Sequence, residues 1–377
     1  MFGSLPRSAK ALLCVRVLNQ LGAYALAFLA VLAGPDLAAV TLAVFGAAAL
    51  ISRWAGGLLL DRLPPRTIIA VGLASTGAAL FVLAAARSPA ETVVAVALVG
   101  LAFELYEPAS QELLARVTGG EQRQDAYALL GTSLVAAGAA GGLLAAVLLP
   151  LGVRWLMAVD GLTCVAAGVV ALVFLNPDGA AHRPKLREGR WRPPARLMRL
   201  TVAGTAFAYG YLAVLMFMPF LLLQRGAPPW LPGLALTGSA LLTPLAARLT
   251  RRPVNALSHT TVLAAGTALL GGLALVMVLC EGVAITVAAY LAWVAVNSVL
   301  LGRWQAMIAD SAPPADRPRW FAFHGSSWGV AQPAVPAVVA VAAGGAGGTG
   351  PAAFLTAALA FLAVPLLLTV APGHTRR

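Results

Sequence analysis

Long apolar stretches recur along the chain, and short breaks rich in proline, glycine or charged residues separate them. A helix that crosses a lipid bilayer needs about 20 mostly apolar residues, and the stretches repeat at that length. The pattern therefore predicts about twelve transmembrane helices. They lie at residues 9–33, 37–60, 67–86, 92–115, 126–149, 154–175, 199–223, 230–248, 259–280, 283–308, 319–342 and 350–371.

The composition leads to the same class of protein. The 377 residues are 60% hydrophobic and 11% charged, and the mean hydropathy is +0.86. A soluble domain cannot bury so many apolar side chains. We therefore expect an all-α membrane protein whose main partner is the lipid bilayer.

A formal net charge of +12 would suit a nucleic-acid partner. The location of the cations along the chain gives a different explanation. With both termini in the cytoplasm, nearly all cations outside the spans fall on the cytoplasmic side. The outer loops hold only Arg87, Arg154 and Arg225. This asymmetry is the positive-inside pattern, which sets the orientation of membrane proteins. It predicts cytoplasmic termini, a location in the cell membrane and no nucleic-acid partner.

The longest polar stretch, residues 176–197, divides the predicted helices six and six. We expect an N-terminal bundle over residues 1–175, a cytoplasmic linker over 176–197 and a C-terminal bundle over 198–377. A shift of about 194 residues aligns the ends of spans four and ten with the loops that follow. It pairs Gln111 with Gln305, Arg123 with Arg317, Tyr127 with Phe321, Gly131 with Gly325 and Ser133 with Ser327. Two pseudo-symmetric six-helix bundles predict a substrate site between them, near the midplane.

Two acids interrupt span four, in the stretch GLAFELYEPASQELLARV. Helical spacing would place Glu104, Glu107 and Gln111 on one polar stripe. An ionised residue at the centre of a span costs about 2.5 to 3.5 kcal/mol, so we expect the stripe to avoid lipid. Arg16 on span one and Arg303 on span ten lie at a depth suited to pairing with Glu107.

Three roles for these acids stay open at this point. They can form a static ion pair that holds the bundle together. They can serve proton coupling and gating, with Glu104 as the proton carrier and Glu107 as the residue that changes partner. Glu104 can also lie in a poorly hydrated corner and remain protonated. Asp160, in the outer third of span six, is expected to be structural.

Other polar residues within the spans can line a cavity or form hydrogen bonds between helices. These candidates are Asn19, Gln20, Tyr24, Gln111, Tyr209, Tyr211, Asn297, His324 and Gln332.

The sequence contains no convincing motif for enzymatic chemistry. Residues 325–329 read G-x-S-x-G, but Ser327 falls within a predicted helix, whereas the hydrolase motif needs a strand before its turn. No nucleotide-binding loop appears, and the three cysteines are scattered without ligand spacing. We expect no enzyme, no cofactor and no metal site.

The loop between spans two and three, GLLLDRLPPR, matches the pattern G-x-L-x-D-R-x-G-R-R of the major facilitator superfamily. The matching residues are Gly57, Leu59, Asp61, Arg62 and Arg66, while Pro64 and Pro65 depart from the pattern. In this loop Gly57 would permit a close helix approach. The chain resembles this superfamily over nearly its whole length. The phrases YEPASQELLARV and WQAMIADSAPPADRPRWFAFHGSSWG are most similar to its bacterial drug-efflux branches, which are drug:proton antiporters.

The resemblance implies a monomeric secondary transporter whose partners are a small-molecule substrate and protons. We expect export of an amphiphilic compound in exchange for protons by alternating access. An uncoupled metabolite facilitator or importer is the first alternative. A membrane sensor or enzyme that retains the fold without transporting is the second.

The topology can be tested with reporter fusions at Arg190 and Gly347. We expect the two reporters to lie on opposite sides of the membrane, because Arg190 belongs to the basic linker and Gly347 to an outer loop. Activity of a periplasmic reporter and of a cytoplasmic reporter at each position measures this. The same side for both positions would contradict the twelve-span topology.

Overall fold

The computed structural model describes residues 6–60, 62–117, 120–176, 192–313, 316–345 and 348–369. Within these ranges the chain is helical and forms no strand, which confirms the all-α class. Asp61, the acid of the loop motif, lies outside the described residues. So do residues 177–191, which make up most of the predicted linker.

The first half of the chain holds eight helices among the described residues. They are α1 (Arg7–Gly22), α2 (Leu29–Ala33), α3 (Ala38–Leu59), α4 (Pro65–Ala85), α5 (Pro89–Phe103), α6 (Glu107–Val117), α7 (Gly120–Leu148) and α8 (Val153–Phe174). The second half follows with α9 (Ala195–Gln224), α10 (Leu231–Asn255), α11 (His259–Leu279), α12 (Val283–Ser311), α13 (Arg317–Ala342) and α14 (Thr349–Thr369).

Ten helical segments in the described ranges are long and apolar enough to cross a membrane. Two of them combine helices, because α1 with α2 and α5 with α6 each form one span. Helices α10 and α13 occupy the predicted spans eight and eleven but hold more polar residues and prolines. Large apolar side chains such as Ile51, Leu162 and Val341 are exposed on the helix surfaces, as is expected of residues that face lipid.

The predicted fourth span is not one continuous helix. A turn at Glu104–Tyr106 separates α5 from α6, so Glu104 lies before the break, while Glu107 and Gln111 share one face of α6 as expected. The cause is Pro108, because proline has no N–H to donate and its ring clashes with the carbonyl four residues earlier, that of Glu104. At the second position of α6 proline is tolerated, since that N–H has no partner within the helix.

The described residues form two compact units. The first consists of residues from 1–188 together with 228–240, and the second of residues from 189–227 and 241–377. The start of α10 thus belongs to the first unit, where Thr237 Oγ1 donates to the carbonyl of Ala139 on α7 at 3.2 Å. Whether the chain divides functionally at the predicted linker stays a prediction.

Small residues bring the helices of the first unit together. Helix α4 packs on α8 and α5, α3 packs on α5, and α1 packs on α8 and α7. Gly77 of α4 faces Gly161 of α8, and Gly141 of α7 lies against the carbonyl of Leu21. Without Cβ atoms these backbones can approach closely, as in other membrane helix pairs.

The second unit is arranged around α9 and α14. Helix α9 packs against α13 and α14, while α11 packs against α12 and α14. Phe217, Phe354 and Phe361 are fully buried among them. Gly210 of α9 makes room for the ring of Phe361.

Close packing at Gly100 of α5 gives a test of the fold. A methyl group there would lie 2.7 Å from Ala48 Cβ and 2.7 Å from the Phe45 carbonyl oxygen on α3. We expect Gly100→Ala to destabilise the protein by about 1 to 3 kcal/mol through overpacking. Thermal unfolding in detergent, followed by circular dichroism, measures the effect.

The matched control is Gly302→Ala on α12, where no atom lies within 4 Å of the added methyl group. This variant should be neutral or slightly stabilising, because alanine favours a helix over glycine by about 1 kcal/mol. Equal melting temperatures for both variants would show that α3 and α5 do not pack as described.

Candidate functional site

An ion pair between α1 and α6 is the centre of the polar groups in the first unit. Arg16 Nη1 donates to Glu107 Oε2, and the two side chains are only 18% and 19% exposed. Gln111 Nε2 donates to the other carboxylate oxygen of Glu107 at 3.0 Å. Glu107 is also the first residue of α6, where the helix dipole favours a negative charge. Arg16 and Gln111 therefore hold both carboxylate oxygens of Glu107 in place.

Tyr106 lies beside this ion pair, in the turn that precedes α6. Its hydroxyl oxygen accepts hydrogen bonds from Asn19 Nδ2 at 2.8 Å and from Arg16 Nη1 at 3.4 Å. The guanidinium carbon of Arg16 is 5.6 Å from the centre of the Tyr106 ring, within the range of a cation–π interaction. Sequence reasoning missed Tyr106, because a continuous helix would not have turned it toward α1.

The hydrogen bonds continue from Asn19 to α8. Cys164 Sγ lies 3.5 Å from Asn19 Oδ1 and 3.6 Å from Asp160 Oδ1, so its single hydrogen can be donated to either oxygen. Asp160 is 3% exposed. A chain of contacts therefore runs from Glu107 through Arg16 and its neighbours to a second buried acid. This connection was not predicted for Asp160 or for Cys164.

Glu104 differs from Glu107 in having no such partners. It caps the C-terminal end of α5 and is half-buried. Its carboxylate forms no hydrogen bond or ion pair within the described residues. Arg53 of α3 exerts the strongest charge interaction on it, followed by Glu107 and Arg16. The carboxyl group of Glu104 is thus free to gain or lose a proton without breaking a hydrogen bond.

The second unit contains a cluster of aromatic and polar side chains. The ring of His324 on α13 stacks against Trp304 of α12, with ring centres 5.6 Å apart. Gly204 of α9 lies directly against the His324 ring. Tyr211 contacts both Trp293 and Trp328.

Several polar atoms of this cluster are buried without a hydrogen-bond partner among the described residues. They are Trp293 Nε1, Asn297 Oδ1, Trp304 Nε1 and His324 Nδ1. Trp293 and Asn297 are one turn apart on α12, so a donor and an acceptor lie near each other. Such groups can recognise a polar part of a largely apolar ligand.

Arg303 lies about two turns before the end of α12, next to His259 of α11. Its Nη1 is 3.4 Å from His259 Nδ1, and His259 Nε2 is 3.2 Å from Asp310 Oδ2. The other predicted cavity residues are spread over four segments. Gln20 is on α1, Tyr24 is in the 3-10 turn that follows and faces Gly138 of α7, Tyr209 is on α9 and Gln332 is on α13, all of them half-buried.

The structure describes only part of the motif in the loop between α3 and α4. Arg66 donates to the carbonyl of Leu172 near the end of α8, where a cation is favourable. Arg62 is exposed and Leu59 ends α3. The close approach expected at Gly57 occurs at its neighbour: a methyl group added to Gly57 would meet no atom within 4 Å among the described residues, whereas Gly56 lies against the carbonyl of Leu105.

Solved structures with the same fold are transporters. PepTSo, a POT family transporter, is 13% identical with a TM-score of 0.78, over 97% of this chain and 98% of that chain. A POT family transporter in complex with 5-aminolevulinic acid is 12% identical with a TM-score of 0.79, over 98% of each chain. The human organic anion transporter MFSD10 is 16% identical with a TM-score of 0.64, over 96% of this chain and 99% of that chain.

No curated protein sequence matches the chain. The family model described as Major Facilitator Superfamily matches residues 12–302, which is well over half of the chain. The protein belongs to the Major Facilitator Superfamily of membrane transporters.

Proposed function

We propose that the protein is a secondary active transporter of the cell membrane that exports an amphiphilic small molecule in exchange for protons. The observation that carries the proposal is the pair of acids at the break in span four. One of them, Glu107, is bound by Arg16, and the other, Glu104, has no bonded partner among the described residues. Ionisable residues inside a span are costly and mark ion or proton pathways in transporters.

The two acids suit two different tasks. Proton coupling requires a group whose environment or proton changes between conformations, because a group in a constant environment cannot bias the exchange. Glu104 suits proton binding, since a proton added there breaks no hydrogen bond. Glu107 suits switching, since both of its oxygens are bound and its release from Arg16 has a large energetic effect. Arg303 is proposed as the gating cation of the second unit.

The aromatic cluster of the second unit suits recognition of the substrate. Ligand sites are mostly apolar with a few polar groups that fix the orientation, and here Trp293, Asn297 and His324 supply such groups. Tyr211 and Trp328 add aromatic faces. A flat, amphiphilic molecule fits this chemistry better than a highly charged one, because the buried donors and acceptors are neutral.

Two alternatives make different predictions. In an uncoupled facilitator or importer, Arg16 and Glu107 would only hold the helices together, and transport would ignore a pH gradient. In a sensor or enzyme that retains the fold, no labelled compound would exchange across the membrane. The solved relatives of similar fold are 12–16% identical, too distant to assign a substrate or a direction.

Glu104→Gln tests the proton coupling. In proteoliposomes, a panel of labelled amphiphilic compounds is first screened for counterflow by the parent protein. For a transported compound, we expect Glu104→Gln to retain counterflow but to lose at least about tenfold of the accumulation that a pH gradient drives, because glutamine keeps the shape and cannot bind a proton.

The matched control is Glu112→Gln on α6, an acid with no described contact to the ion pair. It should behave as the parent protein. If Glu104→Gln responds to the pH gradient as the parent does, proton carriage by Glu104 is wrong.

Charge exchange tests the ion pair. Arg16→Glu and Glu107→Arg should each slow counterflow at every pH and lower thermal stability, since breaking a buried pair costs about 3 to 5 kcal/mol. The double variant should recover part of both losses. Arg319→Gln removes the partly exposed pair with Asp316 and should change stability by less than about 1 kcal/mol. A double variant no better than either single variant would contradict the assigned pairing.

A further inference from the structure

Asp160 is a second buried acid in the first unit, and the roles assigned to Glu104 and Glu107 leave it unused. Its side chain is 3% exposed on α8. One donor to its carboxyl group is the Cys164 thiol at 3.6 Å, and thiols donate weakly. The Thr163 hydroxyl approaches the carboxyl group as well as the backbone carbonyl of residue 160, from which it is 2.9 Å. Both donors are neutral, so neither compensates a negative charge on Asp160.

No cation contacts Asp160 from the helices packed against α8 in the described part of the chain. These helices are α1, α2, α4 and α7, together with the 3-10 turns at residues 23–28 and 149–151. The turns and α2 carry no cation, and Tyr24 is their one ionisable side chain. Helix α1 presents Gly22 and Asn19, and the backbone of Gly22 lies directly on Asp160. Helix α4 carries no ionisable residue after Arg66, and α7 carries none after Tyr127. The charged groups nearest along the hydrogen-bonded chain are Arg16 and Glu107, and they bind each other.

This arrangement provides one cation for two buried acids. Arg16 neutralises Glu107, and a second carboxylate in the same dry environment would be an uncompensated charge. A carboxyl group in that position remains neutral by holding a proton. If Arg16 leaves Glu107, its charge becomes available to the chain of Tyr106 and Asn19 that leads to Asp160.

We propose that Asp160 is a proton-binding site whose occupancy depends on the Arg16–Glu107 ion pair. Asp160 holds a proton while Arg16 binds Glu107. It releases that proton to the aqueous side then open when Arg16 is freed. The hydrogen bonds through Asn19 and Cys164 transmit the position of Arg16 and do not carry the proton. This inference rests on the proposed function, and it adds a second proton site to Glu104.

Infrared spectroscopy of the purified protein in lipid vesicles tests the proton directly and needs no substrate. A protonated carboxyl group has a C=O stretching band that shifts in heavy water. At neutral pH, we expect this band in the parent protein and in Glu112→Gln, and we expect Asp160→Asn to lose it. Glu107→Gln, which frees Arg16, should also lose the band at the same pH. The amide bands check that each variant is folded.

Cys164→Ser identifies the source of the band without removing an acid. A hydroxyl group is a stronger donor than a thiol, so this variant should shift the band of Asp160 to lower frequency. It keeps the inference testable if Asp160→Asn does not fold. A band that is absent in the parent, unchanged in Cys164→Ser or unaffected by Glu107→Gln would overturn the proposal.

Failure of this inference is distinguishable from failure of the proposed function. Counterflow that responds to a pH gradient, in a protein without the Asp160 band, would refute only the second proton site. A band that responds to Glu107→Gln, together with a normal pH response of Glu104→Gln, would refute only the assignment of Glu104. In proteoliposomes, transport by Asp160→Asn should respond more weakly to the pH gradient than transport by the parent.

Discussion

A charge inside a bilayer-spanning segment requires a partner, and the ion pair of Arg16 and Glu107 meets this requirement between two helices. Removing either residue leaves the other as a buried charge, so the pair links α1 to α6 more strongly than apolar packing alone. Gln111 and Tyr106 are oriented around it by hydrogen bonds to the acid and to the base. The geometry of the candidate site therefore follows from this one interaction.

The local backbone makes that interaction possible. A continuous helix would have placed Glu107 in the middle of a span, where its backbone offers no free N–H. Because Pro108 breaks the helix between Phe103 and Glu107, Glu107 lies at the N-terminus of α6, and Tyr106 lies in the turn. The same break leaves Glu104 at the end of α5, without a bonded partner among the described residues. One proline therefore places two acids, three residues apart, in different surroundings.

Much of the fold follows from the sequence, because the length of apolar segments is set by the thickness of the bilayer. The pairing of Glu107 with Arg16 was also accessible, since the depth of a residue can be counted along a span. Pro108 is a helix-breaking signal in the sequence, but the apolar length of span four led to the prediction of one continuous helix. The link to Asp160 was not accessible, because it depends on how closely α1 approaches α8 at Gly22. The close helix approach occurs at Gly56 and not at the predicted Gly57 for a similar reason, since neighbouring glycines on a helix face different directions.

The two units differ in the chemistry they bury, and this difference argues for separate tasks. The first unit buries acids, an arginine and the hydrogen bonds between them, which respond to protons and to charge. The second buries Trp293 Nε1, Asn297 Oδ1, Trp304 Nε1 and His324 Nδ1 without a hydrogen-bond partner among the described residues. The indole and amide groups are neutral, and such groups cost less to bury than unpaired charges and can be satisfied by an uncharged part of a ligand. This difference is the reason for proposing that the first unit binds protons and that the second recognises the substrate.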